Sequence, residues 1–448
     1  MRKRDLLGYG AATVADSGPY NFVIVYLILF LTTVVGMSPE RAGTVLSAIV
    51  LIDGVTSVFI GYISDHTGSR YGRRRPYLLA SVAPLVLGLT LLFCKLPLEG
   101  TAQMTFYIII GIIFWFGYGL YYTPYTALGA ELTDDYNERS ILRTYARFFG
   151  IAGNFIGVVL PLIGIRFLQD MGISEGGAWL MIALFVALAS GIGILITWKS
   201  VGGKERPVEQ IEERLSILKL VVEYVKIFRL KPFKHMMVVI AAFIIANTFY
   251  NSSMVFFARY NLGIGDEITS SIFLISIIAN LVYTPVMGAC SVRFGKKNVM
   301  AFSMLISGMG GLLLYVTGIS SYLGMAVYAC IFSVAYTCFW QLISAVMYDI
   351  SEVAEYKFGK RLEGSISSVY GFVFTIFTSA AMQIFGWILK FGFVNGAFLL
   401  LPGIFLLIAA AAQFLYPINE SSFEKLKEAL EHKKRGEAFE ISSLKRII

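Results

Sequence analysis

Apolar stretches of membrane length recur along the whole chain. They cover roughly residues 10–35, 41–64, 76–94, 103–128, 142–168, 177–199, 234–259, 268–291, 298–318, 322–347, 364–389 and 393–416. A helix of about 20 residues crosses the hydrocarbon of a bilayer, where only helices and closed barrels satisfy their backbone hydrogen bonds. Of the 448 residues, 57% are hydrophobic and only 15% are charged, which is too apolar for a soluble domain. The sequence therefore predicts an all-α membrane protein with twelve transmembrane helices.

A basic turn occurs twice between neighbouring apolar stretches. Residues 70–74 read Arg-Tyr-Gly-Arg-Arg, and residues 293–297 read Arg-Phe-Gly-Lys-Lys. The repeat indicates two homologous six-helix halves, an organisation typical of secondary transporters with a site at the interface of the halves. We expect an N-terminal bundle over 1–199, an amphipathic cytoplasmic linker helix over 200–233, a C-terminal bundle over 234–416 and a cytoplasmic tail over 417–448.

The basic residues also predict orientation. They concentrate in the short loops at one face, which the positive-inside rule assigns to the cytoplasm together with both termini. We expect a multi-pass protein of the cell membrane that works as a monomer in the lipid bilayer. The net charge of +8 follows from this topology, and it does not indicate a nucleic-acid partner.

The sequence gives no convincing signature of an enzyme or of a cofactor site. The sequence Gly-Ile-Ser-Glu-Gly at 172–176 matches a nucleophile elbow, but no strand precedes it, and we interpret the match as chance. No glycine loop ends in Lys-Ser or Lys-Thr, so ATP is not the expected energy source. We predict neither an enzyme nor a bound cofactor or structural metal. A membrane enzyme or a receptor is the competing class, and solute uptake without nucleotide would separate it from a transporter.

A second repeat is charged. Glu131, Arg139 and Arg143 have the same spacing as Asp349, Lys357 and Arg361, in what we expect to be the loops after the fourth and tenth spans. One interpretation is a cytoplasmic gate of ion pairs between the halves, and the other is a solvated loop that only sets topology, because exposed ion pairs are individually weak. The candidate gate residues are Asp65, Arg70, Glu131, Arg139, Arg143, Asp349, Glu355, Lys357, Arg361 and Glu363.

The charged string from Asp349 to Gly364 resembles a family signature. It reads Asp-Ile-Ser-Glu-Val-Ala-Glu-Tyr-Lys-Phe-Gly-Lys-Arg-Leu-Glu-Gly and closely resembles the segment between helices ten and eleven of the glycoside-pentoside-hexuronide:cation symporters, the melibiose permease-like family of the major facilitator superfamily. The loop over 61–73 is similar to the superfamily's loop between helices two and three. The resemblance implies the major facilitator fold, with two pseudo-symmetric six-helix bundles, and cation-coupled symport of a sugar or glycoside.

Asp53 is the candidate cation-coupling residue. A carboxylate in the middle of a span is costly unless it binds a cation or takes a proton, and Thr56 and Ser57 lie on the same helix face. Sodium-coupled relatives carry further acids where this chain has Ser57 and Tyr122. A lone buried carboxylate is suited to protonation, so we favour H⁺ over Na⁺. A sodium ion held by Asp53, hydroxyls and carbonyl oxygens is the alternative.

The resemblance also implies a sugar site. Asp16 and Arg147 match positions that resemble sugar-hydroxyl ligands, and the alternative is an internal ion pair between them. The other candidate lining residues are Tyr122, Thr126, Trp340, Gln341 and Tyr370. Three asparagines either do similar work or form hydrogen bonds between helices: Asn247, Asn251 and Asn280. Thr126 replaces a tryptophan of melibiose-type relatives, so specificity should differ. The competing function within this fold is a cation-coupled carrier of lysolipids or other amphipaths.

Overall fold

The computed structural model describes residues 3–65, 69, 72, 74–132, 136–202, 226–359 and 362–434. The α-helices within these ranges are α1 (Lys3–Ala11), α2 (Thr13–Leu29), α3 (Pro39–Asp65), α4 (Arg75–Leu92), α5 (Gly100–Glu131), α6 (Tyr136–Asn154), α7 (Leu160–Asp170), α8 (Glu175–Ser200), α9 (Lys231–Phe256), α10 (Asp266–Phe294), α11 (Lys296–Thr317), α12 (Tyr322–Phe358), α13 (Glu363–Lys390), α14 (Leu401–Phe414) and α15 (Glu420–Lys434). Four π-helical segments, Phe30–Val34, Phe155–Val159, Phe257–Asn261 and Gly396–Leu400, join or extend them. No strand occurs in these ranges.

Twelve stretches of the described chain are long and apolar enough to cross a membrane, which confirms the predicted number of spans. Helices α1 and α2 with Phe30–Val34 form the first span, and α6, Phe155–Val159 and α7 form the fifth. The seventh span consists of α9 and Phe257–Asn261, and the twelfth consists of Gly396–Leu400 and α14. Each of the others is a single α-helix. Where a helix is continuous and contains no proline, its backbone groups away from the ends can bond along the helix itself, as lipid requires.

The tenth span is longer than its apolar pattern indicates. We expected it to end near residue 347, but α12 continues to Phe358. It stops at Gly359, whose φ of +70° suits glycine and whose N–H donates to the carbonyl oxygen of Glu355 at 2.8 Å. Similarly α6 begins at Tyr136, before the expected start near 142. Lys357, Arg139 and Arg143 are therefore helical residues rather than loop residues, which corrects our expectation.

The described residues form two compact units. Unit A contains those within Met1–Glu212, Asn251–Leu274 and Thr378–Val394, and unit B those within Glu213–Tyr250, Ile275–Phe377 and Asn395–Ile448. Unit A thus includes the ends of three spans that follow the expected linker in sequence. The bundle boundaries inferred from the sequence stay a prediction, and most of the linker, at 203–225, lies outside the described residues.

Glycines allow the helices of unit A to pack closely. A Cβ on Gly157 would overlap the carbonyl of Gly18 on α2, and a Cβ on Gly153 would lie 2.9 Å from the Cα of Val14. On the neighbouring pair, a Cβ on Gly88 of α4 would lie 2.7 Å from the Cα of Phe114 on α5. Lipid provides no hydrophobic driving force between helices. The helices associate instead through the close van der Waals contacts that small residues allow. This packing fixes α2 and α5, which carry candidate site residues.

The first span breaks at Ala12, between α1 and α2. The hydroxyl of Thr197 on α8 accepts from the N–H of Ala12 at 3.0 Å and donates to the carbonyl of Gly8 at 2.6 Å, while Tyr121 of α5 donates to the carbonyl of Ala12 at 2.5 Å. Side chains thus take over the hydrogen bonds that the break frees. The break is held rigidly, four residues before Asp16.

Unit B has its own hydrogen bonds between spans. Ser307 of α11 donates to the carbonyl of Ile331 on α12 at 2.6 Å and accepts from the N–H of Ala335 at 3.1 Å. The helix α15 packs on α12 through a buried face that includes Leu426, Ala429 and Leu430. The C-terminal end of α12, with its charged signature, is therefore partly covered by the segment that follows the twelfth span.

Candidate functional site

Asp53 lies in the middle of α3, partly buried. The hydroxyl of Ser57 is 3.5 Å from Oδ1 of Asp53, at the limit of a hydrogen bond. Thr56 donates instead to the backbone carbonyl of Asp53, at 3.0 Å. Among the described basic side chains, none forms an ion pair with this carboxylate. The carboxylate therefore has one hydroxyl beside it and free coordination capacity.

Asp16 is held by a residue that the sequence reasoning missed. It lies in the first turn of α2, and the hydroxyl of Tyr118 on α5 donates to its Oδ1 at 3.0 Å. Tyr118 is 5% exposed. A buried phenol thus holds the membrane-embedded carboxyl group of α2.

The expected alternative of an ion pair between Asp16 and Arg147 is not formed. Arg147 is exposed on α6 and makes other interactions, whereas Asp16 takes its hydrogen bond from Tyr118. A charged pair buried only for mutual neutralisation would hold the two groups at contact distance. The arrangement leaves a role for each group in binding, although which role stays a prediction.

Tyrosines along one side of α5 position this region. The rings of Tyr118 and Tyr122 stack at 5.6 Å with an angle of 11°, and those of Tyr121 and Tyr125 stack at 5.3 Å. The hydroxyl of Tyr125 donates to the carbonyl of Tyr9 on α1 at 3.0 Å. The four tyrosines follow a spacing of three and four residues, which is one helix face. That spacing is the signal from which Tyr118 could have been found.

Tyr122 and Thr126 lie one turn apart on α5, and both are exposed. Tyr122 is 39% exposed while its ring packs on Tyr118, next to Asp16. The hydroxyl of Thr126 donates to the carbonyl of Thr123 at 3.0 Å, which leaves its oxygen able to accept another hydrogen bond. Unit A therefore brings Asp16, Tyr122 and the buried phenol together, with Thr126 on the adjoining turn.

The remaining candidates lie in unit B. Trp340 of α12 is 39% exposed. The ring of Phe374 on α13 lies between Trp340 and Tyr370, with its centroid 5.9 Å from that of Trp340 and 6.4 Å from that of Tyr370. Phe374 was also missed, although it lies one turn after Tyr370. Gln341 has a buried Oε1 without a hydrogen-bond partner among the described residues. These side chains form an aromatic platform beside an amide, a combination that suits the apolar face and hydroxyls of a sugar.

Asn280 makes the interhelical hydrogen bond that was one of its two expected roles. Its Oδ1 accepts from the hydroxyl of Thr337 at 2.9 Å, joining α10 to α12. Its backbone carbonyl accepts from Thr284 at 2.8 Å. A polar pair of this kind stabilises contact between spans in lipid.

Asp349, one of the gate candidates, is paired within unit B. Lys296 donates to both carboxylate oxygens, at 2.8 and 2.6 Å, and its ammonium lies 5.5 Å from the ring centroid of Phe423 on α15. The pair joins the repeated basic turn to the repeated acid at the end of the fourth helix of this half. Burial, together with the Asp349 carboxylate, raises the pKa of the Tyr416 hydroxyl well above its usual value. The ion pair lies within one unit here, whereas the gate hypothesis requires pairs between halves.

The other gate candidates are described less fully. Glu355 and Lys357 lie on the last turns of α12 and both interact with neighbours, Lys357 with the ring of Phe358. Two candidates, Arg70 and Arg361, lie outside the described residues. The side chains of Asp65, Glu131, Arg139, Arg143 and Glu363 also lie outside the described part. The gate as a whole stays a prediction.

No described group of three or more His, Cys, Asp or Glu side chains could hold a metal ion. Within the described residues, neither Asp53 nor Asp16 therefore belongs to a group of three or more such side chains. A protein site for a hard cation such as Ca²⁺ or Mg²⁺ usually combines several carboxylate or carbonyl oxygens. The number of oxygen ligands near Asp53 is therefore relevant to whether H⁺ or Na⁺ is the coupling ion.

Comparison with known proteins decides the family. A family model described as MFS/sugar transport protein matches residues 8–420. The chain belongs to that family. Membership in the glycoside-pentoside-hexuronide:cation symporters of the major facilitator superfamily, and with it the major facilitator fold, is confirmed. The protein is a multi-pass membrane transporter, not an enzyme.

Relatives support the same family. The chain is 29% identical to the uncharacterized symporter YnaJ of Bacillus subtilis (strain 168), covering 87% of this chain and 83% of the relative. It is 23% identical to the glucuronide carrier protein homolog of Escherichia coli (strain K12), over 98% of both. It is 26% identical to the isoprimeverose transporter of Lactiplantibacillus pentosus, over 81% of this chain and 75% of the relative.

Solved structures agree on the fold. The nucleoside transporter NupG superposes with a TM-score of 0.67 at 14% identity, over 92% of this chain and 98% of that one. A POT family transporter superposes with a TM-score of 0.68 at 14% identity, over 93% and 96%. At this identity the likeness concerns the fold alone.

Proposed function

We propose that the protein is a secondary active transporter that carries a sugar or glycoside together with a cation, by alternating access. The observation that carries this proposal is the pair of membrane-embedded carboxylates on α2 and α3, Asp16 and Asp53, neither of which is neutralised by a described basic side chain. Charges at this depth are expensive to keep and mark substrate or ion pathways. Relatives that are named carriers of a glucuronide or isoprimeverose support a glycoside as the substrate class.

Protons are the favoured coupling ion. Two hydroxyl groups lie near Asp53, those of Thr56 and Ser57. The Ser57 hydroxyl faces the carboxylate, whereas the Thr56 hydroxyl donates to the backbone carbonyl of Asp53. A single carboxylate with one hydroxyl supports reversible protonation better than a sodium cage. Na⁺ remains the competing ion, and both termini in the cytoplasm are part of the same proposal.

Uptake into proteoliposomes tests the function. Labelled mono- and disaccharides, including glucuronides, are offered with a pH gradient, with a Na⁺ gradient and with neither, and a lysolipid is included as the competing substrate. Accumulation of a sugar driven by the pH gradient supports the proposal. Accumulation driven only by Na⁺ would change the ion, and transfer of lysolipid without any sugar would replace the substrate class.

The variant Asp53→Asn separates coupling from binding. An amide cannot exchange a proton, so this variant should lose accumulation while it still exchanges internal for external sugar. Asp170→Asn is the matched control, because Asp170 is exposed at the end of α7 and pairs with Arg166. Gradient-driven uptake at the wild-type rate in Asp53→Asn would remove Asp53 from the coupling site.

Asp16 and Arg147 are proposed substrate ligands. Since they do not pair with each other, Asp16→Ala and Arg147→Ala should both fold, and each should weaken sugar binding by about 1.5–3 kcal/mol, or roughly ten- to a hundredfold, through the charged hydrogen bonds lost. Calorimetric titration of the two variants and of the double variant measures this. Recovery of binding in the double variant would mean that the two groups only neutralise one another in another state.

A further inference from the structure

Charged groups are rare at membrane depth, and unit A carries the described ones. They are Asp16 in the first span, Asp53 in the second and Arg147 in the fifth, where α6 begins about three turns before Arg147. The other described Asp, Glu, Lys, Arg and His side chains of unit A lie near the ends of spans or in loops. These three residues therefore set the charge balance of unit A at membrane depth.

Asp16 and Arg147 lie on packed helices at similar depth. A Cβ on Gly150 of α6 would lie 3.4 Å from Oγ of Ser17 on α2. Arg147 is about one turn before Gly150, and Asp16 directly precedes Ser17, so about one helical turn separates the two charged residues along the helix axes. Their side chains do not pair, since Tyr118 donates to Asp16. They are thus two separate charges of opposite sign whose sum is zero.

Unit B contributes no charge at membrane depth. In this unit Asp, Glu, Lys, Arg and His are absent from 236–250, 275–292, 298–348, 365–377 and 395–419. The candidate lining side chains that it offers are three aromatic rings and an amide, from Trp340, Phe374, Tyr370 and Gln341. Rings and amides suit uncharged sugar groups, but they do not neutralise an anion. A part of the substrate that faces unit B therefore finds no counter-ion there.

We propose that the transported substrate is an uncharged glycoside, and that Asp16 excludes the analogue with a carboxylate on ring carbon C5. The inference rests on the proposed function and refines its substrate class. Once Asp53 has bound a proton, or a sodium ion instead, the charges that remain are those of Asp16 and Arg147, which cancel. An uncharged sugar keeps this balance. A uronate that pairs with Arg147 leaves the charge of Asp16 without compensation, which is costly at this depth.

Asp16 also distinguishes the two kinds of sugar by direct contact. A carboxylate only accepts hydrogen bonds, so it binds sugar hydroxyls, which donate. A carboxylate on the sugar has no proton to donate, and its charge repels that of Asp16. Because Tyr118 holds Asp16 by a hydrogen bond of 3.0 Å, a shift of Asp16 away from the repelling group breaks that bond. Specificity thus arises from a repulsive element as well as from attractive contacts.

Competition for uptake into proteoliposomes tests the proposal. Three compounds are compared at neutral pH: the sugar that the uptake panel identifies, its derivative with a carboxylate on C5, and the primary amide of that acid. Each competes with the labelled sugar. The amide has nearly the shape of the carboxylate without its charge, so we expect the carboxylate to bind at least about tenfold more weakly than the amide. The ratio of the two inhibition constants measures the exclusion.

Two variants should change this ratio in opposite directions. In Asp16→Asn the amide oxygen can still accept from Tyr118, so the charge is removed while the hydrogen bond is kept, and the ratio should fall at least about threefold. Arg147→Gln removes the positive charge and should raise the ratio. Asp170→Asn is the matched control, since Asp170 is exposed and pairs with Arg166, and it should leave the ratio unchanged.

Each outcome decides a different point. Equal affinity for the carboxylate and the amide in the wild type overturns the proposal, and so does a wild-type ratio in folded Asp16→Asn. If Asp16→Asn does not fold, Arg147→Gln decides independently, because an unchanged or lower ratio in that variant contradicts the charge balance. Absence of uptake for every sugar in the panel would instead refute the proposed function itself.

Discussion

Removing a single hydroxyl group, in Tyr118→Phe, tests how Asp16 is positioned for binding. The ring should keep its stacking on Tyr122 at 5.6 Å, because the substitution changes no carbon atom. What is lost is the 3.0 Å hydrogen bond to the Asp16 carboxyl group. Such a bond contributes about 1 kcal/mol when the carboxyl group is neutral and about 1.5–3 kcal/mol when it is charged.

We therefore expect Tyr118→Phe to weaken sugar binding about five- to a hundredfold, while the protein still folds cooperatively. The assay is calorimetric titration of the sugar that the uptake panel identifies, together with thermal unfolding in detergent. Tyr107→Phe is the matched control, because its hydroxyl donates to the carbonyl of Cys94 at 2.8 Å, about three helical turns before Tyr118 on α5 and away from Asp16. Wild-type affinity in Tyr118→Phe, or an equal loss in Tyr107→Phe, would refute the positioning role.

Two further predictions concern stability. Thr197→Val should destabilise the protein by about 1–3 kcal/mol, since it leaves the fully buried N–H of Ala12 without its partner, and Thr197→Ser should restore most of the loss in a thermal unfolding assay. Lys296→Ala should cost about 1–2 kcal/mol, less than for a fully buried pair because Lys296 is about a third exposed, and addition of Asp349→Asn should recover part of it. Equal stability of either single variant and the wild type would contradict the corresponding contact.

The number of spans could be predicted from the sequence because lipid leaves few choices. A stretch of apolar residues in hydrocarbon must be helical, so hydropathy alone counts the spans. The ends of the helices follow other rules. Helix α12 continues eleven residues past its expected end at 347, because charged side chains at a membrane face reach water while the backbone continues its own hydrogen bonds until Gly359.

The candidate site was predictable only in part. Asp53 and Asp16 stand out because a charge in a span is rare. The spacing of the α5 tyrosines marks a helix face that includes Tyr118, but only the hydrogen bond between α5 and α2 shows that this tyrosine reaches a carboxylate. A Cβ on Gly386 of α13 would lie 2.8 Å from the Cα of Gly43 on α3. These glycines are far apart in sequence, and no local pattern encodes their contact.

The ion pair between Lys296 and Asp349 has a consequence for how this chain evolves. It joins two sequence motifs that each occur twice in the chain, the basic turn and the charged repeat, so these copies form one structural unit rather than two independent ones. A mutation at either position leaves the other charged group without its partner. We therefore expect the two residues to be kept or lost together among relatives. We expect positions 296 and 349 to covary across relatives.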